Sequence, residues 1–283
     1  MNIKKYLNNI ESLANRNIAL SGATSGIGYQ LAKHLLCKNA SLILLARNPK
    51  KVNDTINKLK EIYPNSNIDY VIYDQSSFLS IEKGIDELIN KNIDIDTIIL
   101  NAGVLTKKGR SKEDYPLTFG VNYLGVRHFI EYYASKVNRK TRFVIQGSIV
   151  AGLSIPKNYD SKSNKYTSLT QYNVSKIYLE AYIHYLYINN IYPNYEFIIS
   201  EPGVSGTNII NDLPSIIRIL GRPAMKVIFQ SPKKSSLTAL VGVTNLAKNG
   251  DFITPRGLFT IYGYPQIKKF PHKRERKYIF EKE

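Results

Sequence analysis

The sequence predicts an α/β domain in which helices cover both faces of a doubly wound parallel sheet. Apolar runs of four to six residues alternate with longer stretches at helical spacing, which is typical of parallel strands buried on both faces. Hydrophobic residues make up 43% of the 283 residues, and no repeat or low-complexity linker divides the chain. With right-handed crossovers, residues 1–283 are therefore expected to form one three-layer, Rossmann-type domain.

The predicted elements follow one another from a short amphipathic helix within residues 1–16. The predicted strands are 18–20, 42–46, 68–73, 97–100, 143–145, 196–199 and 258–261. The predicted helices begin at Ile27 and then cover 50–62, 78–89, 115–137, 170–188 and 233–246. Each of the first six apolar runs is thus followed by a helical stretch long enough for the crossover to the next parallel strand.

Three segments fall outside this alternation. Residues 153–169 are rich in Ser, Lys and Asn, which predicts a surface loop. Residues 204–232 are apolar but irregular, and we interpret them as a substrate lid. Residues 265–283 are predicted to form a basic C-terminal tail.

Composition excludes several classes of protein. A single cysteine, Cys37, cannot form an internal disulfide, which excludes a disulfide scaffold. Cys37 lies in an apolar run and is predicted to be a buried small hydrophobe. The four histidines lack ligand spacing, so no metal site is predicted. We find neither a membrane-spanning run nor a signal peptide, and we expect a cytoplasmic protein.

The net charge of +17 is the unusual feature of the composition. Basic residues are dispersed, with local concentrations at 107–112 and 268–277. One hypothesis is that the tail binds nucleic acid or a membrane surface, but the acidic residues within the tail reduce its positive charge. The pattern favours a solvated basic surface, with no nucleic-acid partner.

A glycine-rich turn follows the first predicted strand. Gly22, Gly26 and Gly28 lie between that strand and the first long helix. A phosphate in such a turn meets unpaired backbone N–H groups and the positive end of the helix dipole. A tight packing turn is the alternative, but the strand before it and the helix after it favour a nucleotide site.

The spacing of these glycines resembles that of a known protein family. Three residues separate the first two, and residues 21–28 resemble the turn of the short-chain dehydrogenases/reductases, with Ser21 in place of the usual Thr. The cofactor-binding residues that the resemblance implies here are Ser21, Gly22, Thr24, Ser25, Gly26, Ile27 and Gly28.

The end of the second strand indicates which dinucleotide is preferred. Arg47 stands where an acidic residue would hold the ribose diol of NAD(H), and its guanidinium suits a 2′-phosphate. Lys51 follows one helical turn later. We therefore expect NADP(H), with NAD(H) as the second choice. Asp74 resembles the family's adenine-contacting acid, or it caps the next helix.

Further matches extend the resemblance across almost the whole chain, in the family's order. The implied cofactor contacts are Asn101, Ala102, Gly103, Tyr172, Lys176, Pro202, Gly203, Val204 and Thr207. The implied catalytic residues are Asn122, Ser148, Tyr172 and Lys176. A Tyr-x-x-x-Lys pair arises readily by chance among 21 tyrosines, so it is the ordered set that supports a complete active site.

The proposed chemistry depends on a tyrosine whose pKa is lowered. Tyr172 and Lys176 are four residues apart and face the same way on a helix. A nearby ammonium and an oxidised nicotinamide would bring the tyrosine pKa from about 10 toward neutrality. Tyr172 would then exchange a proton with the substrate oxygen, to which Ser148 donates a hydrogen bond. Asn122 would hold a water that links Lys176 to solvent.

Two departures from the family pattern qualify the resemblance. Ser148 and Tyr172 are 24 positions apart (172 − 148), about twice the usual spacing. With Arg47 and the stretch 111–115, this insertion makes the chain look more like the retinol-dehydrogenase-like branch than like the bacterial acyl-carrier-protein reductases. Glu201 precedes the Pro-Gly turn, where relatives carry a neutral or basic residue.

Together these features predict an NADP(H)-dependent oxidoreductase. It would transfer hydride between nicotinamide and a small-molecule carbonyl or alcohol, and the apolar lid favours an apolar substrate. The alternative is a non-catalytic NADP-binding regulatory or interaction protein of the same fold. The resemblance also implies a homodimer or homotetramer.

Overall fold

The structure, a computed structural model, describes residues 2–204 and 230–271. An eight-stranded sheet with the order β3-β2-β1-β4-β5-β6-β7-β8 runs through the centre. Its strands are β1 (Asn17–Ser21), β2 (Ser41–Ala46), β3 (Ile68–Ile72), β4 (Thr97–Leu100), β5 (Thr141–Gln146), β6 (Tyr195–Ser200), β7 (Asp251–Pro255) and β8 (Pro265–Lys269). Strands β1 to β7 pair in parallel, and β8 is antiparallel to β7.

Helices connect the strands and cover both faces of the sheet. The α-helices are α1 (Ile3–Asn8), α2 (Gly26–Cys37), α3 (Pro49–Ile62), α4 (Phe78–Asn90), α5 (Leu117–Phe119), α6 (Gly125–Lys136), α7 (Ser168–Ile188), α8 (Pro232–Ser235) and α9 (Leu237–Val243). A π-helical turn, Gly120–Leu124, joins α5 to α6. The predicted doubly wound sheet is therefore confirmed.

Strand side chains alternate between two apolar layers, as a buried parallel sheet requires. Ala19, Ile43 and Leu45 enter the layer beneath α4, α6 and α7. Ile18 and Leu44 enter the opposite layer, beneath α2, α3 and α9. Because β1 to β6 are parallel, their carboxyl ends meet at one edge of the sheet, which brings the predicted site residues together.

The prediction of a last strand at 258–261 is wrong. Leu258–Thr260 is a 3-10 turn, and the chain instead forms β7 before it and β8 after it. The pattern of β8 is hard to detect because this edge strand is largely exposed and carries Lys268 and Lys269. The predicted tail thus begins with a strand, and its residues 272–283 lie outside the described part.

Three smaller expectations also need correction. The predicted helix 115–137 is interrupted by the π-helical turn at 120–124, which begins at Gly120 and is followed by Gly125. The predicted helix 233–246 divides into α8 and α9. Cys37 is exposed rather than buried, because it is the last residue of α2 and lies off the face that packs on the sheet.

Candidate active site

A cavity of about 570 Å³ opens at the carboxyl ends of the parallel strands. It lies where doubly wound sheets bind ligands. Its lining comprises Gly22, Thr24, Ser25, Gly26, Ile27, Gly28, Leu45, Ala46, Arg47, Asn48, Lys51, Tyr73, Asp74, Gln75, Asn101, Ala102, Gly103, Val104, Val121, Gln146, Gly147, Tyr172, Lys176, Pro202 and Pro232. The glycine turn and the Tyr-x-x-x-Lys pair thus share one cavity.

The glycine turn forms one wall of this cavity. A Cβ on Gly28 would lie 2.2 Å from the Gly22 carbonyl oxygen, and one on Gly22 would lie 2.9 Å from the Ala102 Cα. Both glycines are therefore required for the turn to pack on itself and on the end of β4. Ser25 is the N-cap of α2, and its hydroxyl makes no capping bond. The first N–H groups of α2 are thus available to a phosphate.

Ser21 supports the turn from behind the cavity lining. Its fully buried hydroxyl accepts hydrogen bonds from the Asn101 and Ala102 N–H groups, each at 3.0 Å. The Asn101 amide in turn donates to the Ser21 carbonyl oxygen at 3.0 Å. These bonds join the ends of β1 and β4, so Ser21 holds the turn in place while Asn101 and Ala102 line the cavity.

The end of the cavity beside β2 is cationic. Arg47 is exposed, and Lys51 follows it in the first turn of α3, whose N-cap Asn48 accepts from the Lys51 N–H at 2.9 Å. Asp74 lies across from them at the end of β3, and its carboxylate accepts from the Ser76 N–H at 2.9 Å. The N-cap of α4 is Ser77, so the capping alternative for Asp74 is wrong.

Tyr172, Ser148 and Lys176 come together where α7 crosses the end of β5. Tyr172 and Ser148 are close enough for the Ser148 side chain to lower the pKa of Tyr172. The Lys176 Nζ lies 5.9 Å from the centroid of the Tyr172 ring and donates to the Gln146 carbonyl oxygen at 2.6 Å. Helix spacing and the end of β5 therefore give the arrangement expected from the sequence.

The electrostatics of this group differ from the expectation. Burial raises the pKa of Tyr172, the Ser148 hydrogen bond lowers it, and the carboxylates of Glu180 and Glu201 raise it further. Burial also lowers the pKa of Lys176 to about 8, against the opposing effect of Glu180. The residues of the chain thus keep the Tyr172 phenol protonated at neutral pH, whereas the sequence predicted a lowered pKa.

Asn122 lies in the π-helical turn beside these residues. Its Oδ1 accepts from the Val104 N–H at 2.8 Å, and its Nδ2 donates to the Val104 carbonyl oxygen at 2.9 Å and to the Ser175 hydroxyl at 3.1 Å. A Cβ on Gly103 would lie 3.2 Å from Asn122 Oδ1 and 4.0 Å from Lys176 Nζ. Asn122 thus connects the end of β4 to α7.

The Pro-Gly turn after β6 forms the remaining edge. Pro202 lines the cavity, and Gly203 has a φ of +70° with the Ile261 carbonyl oxygen 2.4 Å from where a Cβ would lie. The Val204 N–H donates to that same oxygen at 2.9 Å, so Gly203 and Val204 pack against the 3-10 turn. Thr207 and most of the predicted lid lie outside the described residues.

Sequence reasoning missed several lining and supporting residues. The clearest is Gln75, which is buried and donates from Nε2 to the Val121 carbonyl oxygen at 2.7 Å. Gln230 is another, since its amide donates to the Pro202 carbonyl oxygen and its N–H to that of Val204. Their signal in the sequence is weak because amide side chains at strand ends and in loops are common.

The lining fits a phosphorylated dinucleotide. The turn leaves helix N–H groups for a diphosphate, and Arg47 and Lys51 lie where a further phosphate would bind. Tyr172 and Lys176 lie beyond Gly103, at the other end from Arg47 in the order of the strands. Over residues 2–204 and 230–271, His, Cys, Asp and Glu side chains form no group that could hold a metal ion.

Comparison with known proteins gives the family. A family model described as short chain dehydrogenase matches residues 16–211, more than half of the chain. The chain belongs to the short-chain dehydrogenase family. This match spans the glycine turn, the Tyr-x-x-x-Lys pair and the Pro-Gly turn, and it confirms the resemblance seen in the sequence.

Individual relatives match this short-chain dehydrogenase more distantly. Short-chain dehydrogenase TIC 32 B, chloroplastic, of Brassica napus is 33% identical over 144 residues, 50% of this chain and 44% of the relative. Polyprenol dehydrogenase of Danio rerio is 23% identical over 233 residues, 78% of this chain and 71% of the relative. The chain therefore spans less than half of the Brassica protein's length.

Solved structures share the fold. An uncharacterized protein from Mycobacterium Paratuberculosis aligns with a TM-score of 0.75 at 18% identity, covering 96% of this chain and 92% of its own. An alcohol dehydrogenase from Thermococcus sibiricus, complexed with 5-hydroxy-NADP, aligns with a TM-score of 0.61 at 20% identity, covering 80% and 90%. In the described part of the present chain, no helix has both the length and the apolar character needed to cross a membrane.

Proposed function

We propose that this short-chain dehydrogenase is an NADP(H)-dependent oxidoreductase that interconverts a carbonyl compound and the corresponding alcohol. One observation carries the proposal: the glycine turn and the Tyr172–Lys176 pair line the same cavity, with Ser148 close to Tyr172. A dinucleotide on the turn would bring its nicotinamide toward Tyr172. The name and ligand of the Thermococcus alcohol dehydrogenase, which has the same fold, agree with this activity.

The chain's own part of the reaction is proton transfer and orientation. Ser148 and Tyr172 would together hold the substrate oxygen, and the bound nicotinamide would supply or accept the hydride. Because its pKa is raised, Tyr172 carries its proton at neutral pH and can donate it to a carbonyl oxygen. Lys176, held by the Gln146 carbonyl oxygen, supports the Tyr172 ring from the next turn. A protonated Tyr172 is the form that carbonyl reduction requires.

The substrate is proposed to be apolar. Exposed apolar side chains follow the carboxyl ends of β5 and β7. Leu153, after β5, has a relative exposure of 54%, and Leu258, after β7, has one of 66%. Leu153 ends the turn after Ser148, and Leu258 begins the 3-10 turn against which Val204 packs. The Danio relative's name, polyprenol dehydrogenase, also denotes an apolar alcohol.

The cofactor preference rests on Arg47. We expect NADPH to raise the melting temperature more than equimolar NADH, because ligand that binds the native state stabilises it. Arg47→Ala should weaken NADPH binding by about 10- to 100-fold through loss of charge-assisted bonds to the 2′-phosphate, and leave NADH binding unchanged. Isothermal titration with both nucleotides measures this difference.

Lys58→Ala is the matched control, since it removes one positive charge from an exposed position of α3 outside the cavity lining. It should leave both affinities within about twofold of the parent protein's. Equal losses of NADPH affinity in the two variants, or equal binding of NADH and NADPH to the parent, would show that Arg47 does not select the cofactor.

The other sequence-based predictions remain proposals. A non-catalytic NADP-binding regulator would bind NADPH and turn over no carbonyl, so a turnover assay separates it from the enzyme. Assembly into a homodimer or homotetramer and membership of the retinol-dehydrogenase-like branch are carried by the resemblance alone. The cytoplasmic location is the expectation drawn from the sequence pattern.

A further inference from the structure

Glu180 lies one helical turn beyond Lys176 on α7, at the site but outside the predicted catalytic set. Its side chain is 1% exposed. The Ser148 N–H donates to its Oε1 at 2.8 Å, in a buried hydrogen bond. A hydrogen bond to a carboxylate in a buried setting is stronger than one between neutral groups.

Glu180 also packs closely on the residue before Ser148. A Cβ on Gly147 would lie 2.6 Å from Glu180 Oε1, so the carboxylate occupies the space that a side chain there would need. On the other side, the Gly147 N–H donates to the Ser200 carbonyl oxygen at 2.9 Å. The backbone of 147–148 is thus clamped between α7 and the end of β6.

The helix spacing makes this a three-residue stripe. Tyr172, Lys176 and Glu180 are four residues apart in succession and face the same side of α7. Tyr172 lies close to the Ser148 side chain, the Lys176 Nζ donates to the Gln146 carbonyl oxygen, and the Glu180 carboxylate accepts from the Ser148 N–H. The three side chains therefore act together on the segment 146–148 at the end of β5.

We propose that Glu180 is a positioning residue of this active site, which fixes Ser148 through its N–H and places a negative charge beside the Tyr172–Lys176 pair. The proposal rests on the proposed function, because it assumes that these groups perform the proton transfer. Glu180 would act through Ser148, Tyr172 and Lys176, without touching substrate or cofactor.

The negative charge of Glu180 shifts the pKa values of Tyr172 and Lys176 in a known direction. Its carboxylate raises the pKa of Tyr172 and opposes the lowering of the pKa of Lys176 by burial. The charged groups acting on this pair are Glu180 from α7 and Glu201 from the end of β6, while β5 contributes the Ser148 hydroxyl. Removing the Glu180 charge should therefore lower both pKa values, so that both protons are lost at lower pH.

The test compares Glu180→Gln with Glu180→Leu in the full chain. The probe reaction is reduction of 4-nitrobenzaldehyde by NADPH, with kcat and KM measured from pH 6 to 10. Gln keeps an acceptor for the Ser148 N–H, so its plateau kcat should stay within about threefold. The pH at half-maximal kcat, which Lys176 sets within this range because burial lowers its pKa to about 8, should fall by about one unit. Leu removes acceptor and charge, and kcat should fall at least about 10-fold below that of the Gln variant.

Glu61→Gln is the matched control, because it makes the same charge change on an exposed residue at the end of α3. Its kcat should depend on pH in the same way as that of the parent protein. A Gln variant whose profile also stays in place, or a Leu variant as active as the Gln variant, would overturn the proposal for Glu180. Absence of turnover by the parent protein would instead count against the proposed function.

A second readout needs no turnover. Absorbance at 295 nm follows tyrosinate, and subtracting the titration of a Tyr172→Phe variant isolates the ionisation of Tyr172. The same subtraction in the Glu180→Gln background should give a midpoint lower by about one pH unit. An unchanged midpoint would show that Glu180 does not act on Tyr172, even in a protein with no activity toward the probe.

Discussion

Tyr172→Phe is expected to lower kcat for carbonyl reduction by about 100- to 10,000-fold, the usual contribution of a positioned acid–base group. The substitution removes a single hydroxyl, the one whose pKa the Ser148 side chain lowers, and leaves the ring beneath the Lys176 Nζ. NADPH binding should persist, because the glycine turn and Arg47 are untouched. Steady-state kinetics with NADPH and a panel of decanal, cyclohexanone and 4-nitrobenzaldehyde measure the loss, and thermal shift with NADPH measures binding.

Tyr187→Phe is the control, since Tyr187 lies on the same helix with 39% exposure and packs against Gly250 away from the cavity. It should keep both turnover and binding. If the two variants had equal activity, Tyr172 would not be the proton donor. If the parent protein bound NADPH but reduced none of the panel, the alternative of a non-catalytic regulator would gain support.

Gly28→Ala is expected to destabilise the native state by about 3 kcal/mol or more and to abolish NADPH binding. The added Cβ would lie 2.2 Å from the Gly22 carbonyl oxygen and 2.6 Å from the Asn101 amide nitrogen. Overpacking a close backbone contact forces the turn to move, and the gain in helix propensity of about 1 kcal/mol does not compensate. The melting temperature should fall by roughly 6–12 °C, measured by circular dichroism.

Gly84→Ala makes the same change in the interior of α4. There the nearest atoms would be Tyr73 Cβ at 3.2 Å and the Ile72 carbonyl oxygen at 3.3 Å, so a small adjustment suffices. We expect its stability to stay within about 1 kcal/mol of the parent protein's, with NADPH binding intact. Equal melting temperatures in the two variants would mean that the glycine turn does not have the packing described.

The fold could be predicted largely from patterns in which local and global preferences agree. Strands β1, β2 and β4 are short apolar runs followed by helical stretches, so their position in a parallel sheet follows from the sequence alone. The edge strand β8 could not be found, because its exposed face lacks the apolar alternation that identifies strands. The π-helical turn at 120–124 could not be predicted for another reason: the apolar pattern of the helix continues through it.

The site was predictable where a motif fixes side chains within one element. Tyr172 and Lys176 needed only helix spacing, and the glycine turn needed only its place between β1 and α2. Glu180 was not predictable as part of the site, because its contact with Ser148 crosses from α7 to the end of β5, 32 residues away. The raised pKa of Tyr172 was missed because burial and two carboxylates, none visible in the motif, raise it, and Ser148 rather than Lys176 is the group that lowers it.

The central claim is that hydride passes between a nicotinamide in this cavity and a carbonyl carbon held at Tyr172. It is tested most directly by incubating the parent protein with an aldehyde and NADPH carrying deuterium at the transferable C4 position. Mass spectrometry of the alcohol should show one deuterium on the carbinol carbon, and Tyr172→Phe should yield almost no labelled alcohol. Tight binding of the labelled cofactor with no deuterium in any product of the panel would contradict the claim.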